Sequence, residues 1–263
     1  MSKSKQASPI ERLKNDKDYY GAYGKQWLSN SDIKTLLSDP AQYGAEQPDN
    51  ENFAKGRYVH QAILEPHKLK DFPIIDVKVR GKEYKEYLEK NDLSFALKKT
   101  EADELKEMAD WFLSEDNPKT NEMRAILNDF DTTTEVPQVG EIQGMQFKGK
   151  ADIVSSSAVF DIKTTNDIHN FYRVARIYGY DSQAYIYQTL FGKPLEFWVI
   201  GKTKKHYVKS NKMYYDIGIF KVDDSFIESG KIKVQEAIKV YDNFIKDDAP
   251  MDLEQLIYNV TLK

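Results

Sequence analysis

The stretch Met145–Thr164 constrains this chain more than any other. Met145–Ser155 and Ala158–Thr164 each alternate apolar and polar residues, and Ser156-Ser157 between them is a turn signal. A hairpin through those serines sets Ile153 opposite Phe160 and Ala151 opposite Ile162, with Phe147 farther along the same apolar face. The other face then carries Asp152 opposite Asp161 and Lys150 opposite Lys163. A slip of one residue would turn every apolar side chain to the wrong side, so the hydrophobic pattern alone predicts this register.

Directly opposed strand residues have Cβ atoms roughly 5 Å apart. Two carboxylates so placed repel, and two compensations are open: a divalent cation between them, or lysines on the same face. Oxygen donors suit Mg²⁺ or Mn²⁺. Lys163 projects from the same face as Asp161, where an ammonium could position or help deprotonate a water. An acid pair, a metal and a lysine are together what phosphodiester hydrolysis needs. A salt-bridge cluster on an exposed sheet face accounts for the same residues.

Around the hairpin the pattern predicts helices over Asp32–Leu37, Asn50–Glu65, Thr100–Ser114 and Asn121–Asn128, and a strand over Phe72–Val79. Thr132–Val139 reads as the strand before the hairpin. Helices Asp167–Ile177 and Tyr180–Leu190 follow it, then strands Leu195–Lys202 and Met213–Val222 and a long helix Asp224–Phe244. This order predicts an α/β fold: a central mixed β-sheet flanked by helices. Residues 1–26 are polar and lysine-dotted and read as a mobile arm, with Tyr19, Tyr23 and Trp27 as an aromatic anchor at its end; 27–263 read as a single domain.

The 263 residues contain no cysteine, which excludes disulfides, thiolate zinc sites, cysteine-ligated clusters and cysteine nucleophiles. Met1–Ile10 lacks the apolar stretch of a signal peptide, and no apolar run approaches the ~20 residues that cross a bilayer. A cytoplasmic protein without membrane contact is expected. The net charge of −4 speaks against a protein that coats nucleic acid, though not against a local basic groove.

Several segments together resemble a known family. Asp152, with Asp161-Ile162-Lys163 opening the neighbouring strand, resembles the PD-(D/E)XK nuclease signature. Gly149-Lys150-Ala151-Asp152 resembles the G-[RK]-x-D element of its RecB/RecE-like phage exonuclease branch, and Asp161-Ile162-Lys163-Thr164 its D-[YIL]-K-T element. Gly56-Arg57-Tyr58-Val59-His60 is similar to the upstream G-x-x-x-H helix. Gln183-Ala184-Tyr185-Ile186-Tyr187 is similar to the downstream Q-x-x-x-Y helix, and Trp27-Leu28-Ser29-Asn30-Ser31 to the opening segment. No proline stands before Asp152.

The resemblance implies a restriction-endonuclease-like core and a Mg²⁺- or Mn²⁺-dependent exodeoxyribonuclease with one or two ions per site. It implies that His60, Asp152 and Asp161 ligate metal, with the Ile162 carbonyl and Glu135 as further ligands. Lys163 would act on the attacking water. Gln183 and Tyr187, four apart on one helix face, would contact DNA or orient that lysine. Phosphate contacts are expected from Arg173 and Arg176, and from the acid-free run Gly201–Lys212 with its five lysines, among them Lys202, Lys204 and Lys205. The acidic helix after Thr100 would form an outer wall. The implied substrate is a double-stranded DNA end, resected to a 3′ single strand for annealing and recombination. The implied partners are a single-strand annealing protein and further copies of the chain, as a trimer or tetramer. A structure- or sequence-specific endonuclease and an inactive DNA-binding or assembly module are the alternatives on the same fold.

Overall fold

The structure, a computed structural model, describes residues 8–45, 49–209 and 211–257. In chain order it runs through α1 (Pro9–Leu13), α2 (Asp16–Tyr20), α3 (Asn30–Ser38), α4 (Glu51–Leu64), β1 (Ile74–Ile75), α5 (Lys82–Asn91), β2 (Leu97–Lys98), α6 (Lys99–Leu113) and α7 (Asn121–Leu127). Then come β3 (Thr133–Ile142), β4 (Met145–Val154), β5 (Val159–Thr165), α8 (Phe171–Val174), α9 (Tyr180–Phe191) and β6 (Leu195–Gly201). The small strands β7 (Lys205–Tyr207) and β8 (Lys212–Tyr214), β9 (Ile217–Lys221) and α10 (Asp224–Val240) complete the chain.

The main sheet has the order β3-β4-β5-β6-β9. Only the β5–β6 pair is parallel, so the sheet is mixed as expected. Both faces are covered. Phe160, Ile162, Trp198 and Ile200 join a core with residues of α4, α6 and α7. Val159, Phe197 and Val199 join a second core with residues of α3, α9 and α10. A strand covered on both faces is apolar at nearly every position, as β6 is at Leu195, Phe197, Trp198, Val199 and Ile200, whereas β5 carries Asp161 and Lys163. Gly230 lets α10 cross α9 closely, since a Cβ there would come within 2.0 Å of the Asp181 carbonyl oxygen.

The hairpin begins in the expected register and then departs from it. Ile153 pairs with Phe160 and Val154 with Val159, but the ladder stops there. The expected pairs Ala151–Ile162, Asp152–Asp161 and Lys150–Lys163 do not form, because the two strands splay apart. The expected single apolar face is also divided. Ile153 lies in the first core, while Ala151 and Phe147 lie in the second. The backbone groups freed by the splay are satisfied by other means. Ile162 N donates to Asp152 Oδ2 at 2.7 Å, and Tyr187 Oη donates to the Lys150 carbonyl at 2.8 Å. Leu28 bonds to both sides of Phe147, through Gln146 O at 2.9 Å and Lys148 N at 2.8 Å.

Residues 8–26 are not a free arm. Leu13, Tyr19 and Trp27 bury one another against Tyr23 and Val139 of β3. Lys148 Nζ donates to the Tyr19 carbonyl at 2.6 Å, and Lys150 pairs with Asp16. The part of the expected arm at residues 1–7 lies outside the described residues. Three expected elements are also shorter. The strand at Phe72–Val79 is reduced to β1. The strand at Met213–Val222 is broken into β8 and β9. The helix at Asp167–Ile177 is reduced to α8, and ahead of it Asp167 accepts from the amides of His169 and Asn170. No helix among the described residues is long and apolar enough to cross a membrane.

Candidate active site

The splay between β4 and β5 opens a cleft at the middle of the sheet, and α4 and α9 reach it from opposite faces. Asn50 caps α4, accepting from the amides of Asn52 and Phe53. The helix buries Ala54, Tyr58, Val59, Ala62 and Ile63, which leaves His60 at the edge of that face, over the splay. His60 Nε2 donates to the Ile162 carbonyl at 2.7 Å, and Nδ1 faces Asp152 Oδ2 at 3.3 Å.

Glu135 lies on β3 between Thr134 and Val136, which pair with Ile153 and Ala151 of β4. Its backbone has φ of 53°, a conformation that costs a non-glycine residue energy and is retained where the surroundings demand it. One donor atom each from His60, Glu135 and Asp152 lies within 4.8 Å of the others. Burial, together with the charge of Asp152, pushes the Glu135 pKa up to about 7. Burial also acts against the charge of Asp152, yet His60, Lys163 and the Ile162 amide outweigh it and hold that carboxyl below its ordinary value.

Asp161 and Lys163 face α9. Asp161 is 2% exposed. Its Oδ1 accepts from Gln183 Nε2 at 2.5 Å, while Oδ2 makes no well-aligned hydrogen bond and meets the Lys163 ammonium at 2.6 Å. Burial works against the charge on Lys163, but Asp161, Tyr180 and Asp152 overcome it and raise the pKa above the usual lysine value. The ammonium also lies 4.8 Å from the centre of the Tyr180 ring. The glycine of the G-[RK]-x-D element has a packing reason: a Cβ on Gly149 would come within 2.9 Å of the Tyr187 ring. Its absence lets α9 ride close to β4, which brings Gln183 within reach of Asp161.

The residues expected at the site thus fall into two neighbouring groups. His60, Glu135 and Asp152 converge as one donor set. Beside it Asp161 accepts from Gln183 and is ion-paired with Lys163, and Asp161 is not in the three-residue set. The Ile162 carbonyl is engaged by His60, and Tyr187 holds the Lys150 backbone. Arg173 is in the short α8 and Arg176 beyond it, both exposed, so they do not share the helix predicted for them. Lys204 pairs with Glu107 of the acidic α6, and Lys205 with Asp216. Lys202 is half-buried, and burial and Lys55 lower its pKa. Sequence reasoning missed Asp16 and Tyr20, which reach the mouth of the cleft from a segment read as a free arm. It also missed Tyr180, whose place three residues before Gln183 on one helix face was a usable signal.

The family described as "PDDEXK-like domain of unknown function (DUF3799)" matches residues 29–257. The chain belongs to this DUF3799 family. The PD-(D/E)XK membership and fold expected from the sequence are therefore present. Among solved structures, a candidate exonuclease from Eubacterium rectale is similar in fold to this DUF3799 protein. The likeness covers 95% of this chain and 96% of that chain, at 15% identity and a TM-score of 0.59. A phage-related exonuclease from Haemophilus somnus 129PT is similar over 82% of this chain and 93% of that one, at 15% identity and a TM-score of 0.32. No curated protein matches the chain.

Proposed function

We propose that this DUF3799 protein is a divalent-metal-dependent deoxyribonuclease that works from DNA ends. The observation that carries the reading is the donor set of His60, Glu135 and Asp152 directly beside the buried Asp161–Lys163 pair. The donor chemistry fits a divalent ion: one imidazole and two carboxylates, which suit Mn²⁺ as well as Mg²⁺. So does the strained backbone that brings Glu135 towards Asp152. The ion would polarise the phosphodiester and lower the pKa of water.

The protein's own groups supply the rest. The hydrogen bond from Nε2 to the Ile162 carbonyl fixes the His60 ring with Nδ1 turned to the donor set, as outer partners of metal-binding histidines do. Asp161 holds Lys163 as an ammonium whose N–H groups can orient the attacking water and meet the charge that develops on the phosphoryl oxygens. Gln183 positions Asp161. Resection to a 3′ single strand, an annealing partner and assembly of several copies are proposals that rest on the exonuclease-branch resemblance.

The test is digestion of linear and of covalently closed duplex DNA with Mg²⁺ or Mn²⁺, and with chelator. Loss of the linear form alone, only with metal, is expected. Cutting of the closed circle would replace the end-directed reading with an endonuclease. Binding without cleavage in either metal would leave a DNA-binding module.

A further inference from the structure

The mouth of the cleft beside Glu135 and Asp152 is formed by α2, which precedes the residues that match the family. Asn15 caps α2 by accepting from the Lys17 amide, and Tyr19 anchors the helix in the small core of Leu13 and Trp27. Asp16 ties it to Lys150 and Lys68. Tyr20 is thereby held at the mouth without being covered. Its ring stands edge-on to Tyr19, with centroids 4.9 Å apart, and 5.6 Å from the Lys150 ammonium, yet the residue is 71% exposed. Its phenol is pushed up to about 12, first by the surrounding protein and then by the charges of Asp16, Glu135 and Asp152, with Arg57 of α4 acting the other way. The ring is thus held by α2 beside Lys150 with most of its surface open to solvent.

We propose that Tyr20 is a substrate contact of the nuclease site, stacking on an unpaired base at the DNA end. The proposal rests on the deoxyribonuclease reading above. Among the described residues the ring meets another aromatic ring only at the edge of Tyr19, and an aromatic face accepts any base. Bases inside a duplex have both faces covered, so the partner is a terminal or frayed base. Arg57, 44% exposed and paired with Asp49, and Lys68, paired with Asp16 and Glu65, are cations of this region that a phosphate could draw from their acids.

The experiment compares wild type, Tyr20→Ala and Tyr20→Phe on short duplexes whose terminal nucleotides either carry bases or are abasic. Binding is read by fluorescence anisotropy in chelator and cleavage kinetics in Mg²⁺. Tyr20→Ala is expected to raise Kd and KM about five- to hundredfold with kcat and melting temperature little changed. Tyr20→Phe keeps the ring and should behave as wild type. Abasic ends should cost wild type a similar factor and cost Tyr20→Ala nothing further, because the two changes remove the same contact. Equal binding of normal and abasic ends by wild type overturns the stacking contact while leaving the nuclease intact. So does a Tyr20→Phe defect as large as that of Tyr20→Ala. A wild-type protein that neither binds nor cuts DNA overturns both readings.

Discussion

The side-chain amide of Gln183 donates to Oδ1 of Asp161 at 2.5 Å, linking α9 to the middle of the sheet. Asp161 is almost fully buried, so this bond carries structural as well as chemical weight. Gln183→Ala leaves a buried carboxylate oxygen unpaired and should cost about 1–3 kcal/mol in urea denaturation. Gln183→Glu, which sets a second carboxylate against Asp161, should cost more at pH 8. Unchanged stability in both variants would mean that Asp161 is held by Lys163 alone.

The pair that Gln183 supports should matter to rate rather than to affinity. Lys163→Ala and Asp161→Asn are each expected to lower single-turnover cleavage by about 10²–10⁴-fold, the range for a group that assists proton transfer or orients the attacking water. Duplex binding measured in chelator should stay near wild type. A variant that cuts at the wild-type rate would remove its residue from the reaction.

Metal should be visible in stability without any DNA. An ion that binds only the folded protein stabilises it by about 2.7 kcal/mol at a hundredfold excess over its Kd. Mn²⁺ and Mg²⁺ should therefore raise the melting temperature of wild type, and His60→Ala and Asp152→Asn should abolish the rise. Glu135→Gln should show opposite signs in the two conditions. It removes a charge that faces Asp152 inside the protein, so it should melt higher than wild type in chelator and gain little from metal. A variant that loses stability in chelator would show that Glu135 is held by attraction and not merely tolerated.

Acid should loosen the N-terminal helices before the sheet. Burial opposes the charge on Asp16, but Lys150 and Lys68 outweigh it and hold its pKa below the ordinary value. A carboxylate depressed in the folded state contributes stability above its unfolded pKa of about 3.9 and loses it as pH falls through the folded value. The carboxylate is 51% exposed, so the contribution is under about 1 kcal/mol. Protection factors of residues 8–27, taken against intrinsic exchange at each pH, should fall below about pH 4, and Asp16→Asn should remove that acid step while lowering protection at neutral pH. Exchange that follows the whole molecule at every pH would place the pairing among the inert surface contacts.

Much of the site was legible because its chemistry sits on strongly patterned elements. The pairing of Ile153 with Phe160 follows from alternation alone, and the spacing of Gln183 and Tyr187 places both on the inner side of α9. The splay was not legible. It depends on side chains replacing backbone partners, as Asp152 does for the Ile162 amide, and no local pattern marks that exchange. The true position of Glu135 depends on one residue in a left-handed conformation, which a strand sequence does not signal. The N-terminal helices were only partly legible: Tyr19, Tyr23 and Trp27 mark an anchor, but Leu13 and the two short helices around it show no period. Their docking depends on Lys148 and Lys150, more than a hundred residues away. The lysine run misled because charge in a sequence carries no record of the acids that meet it, here Glu107 and Asp216.

The docking of α2 has a consequence for how this chain could be shortened. A version trimmed to residues 29–257 would keep every donor around the cleft. It would also strip the Tyr19 carbonyl from Lys148 and the Asp16 carboxylate from Lys150, leaving two amines on β4, two residues apart, to find water for themselves. The strand that carries Asp152 would then repel itself just before it reaches the cleft. The span shared with the family is therefore shorter than the span that keeps β4 at ease.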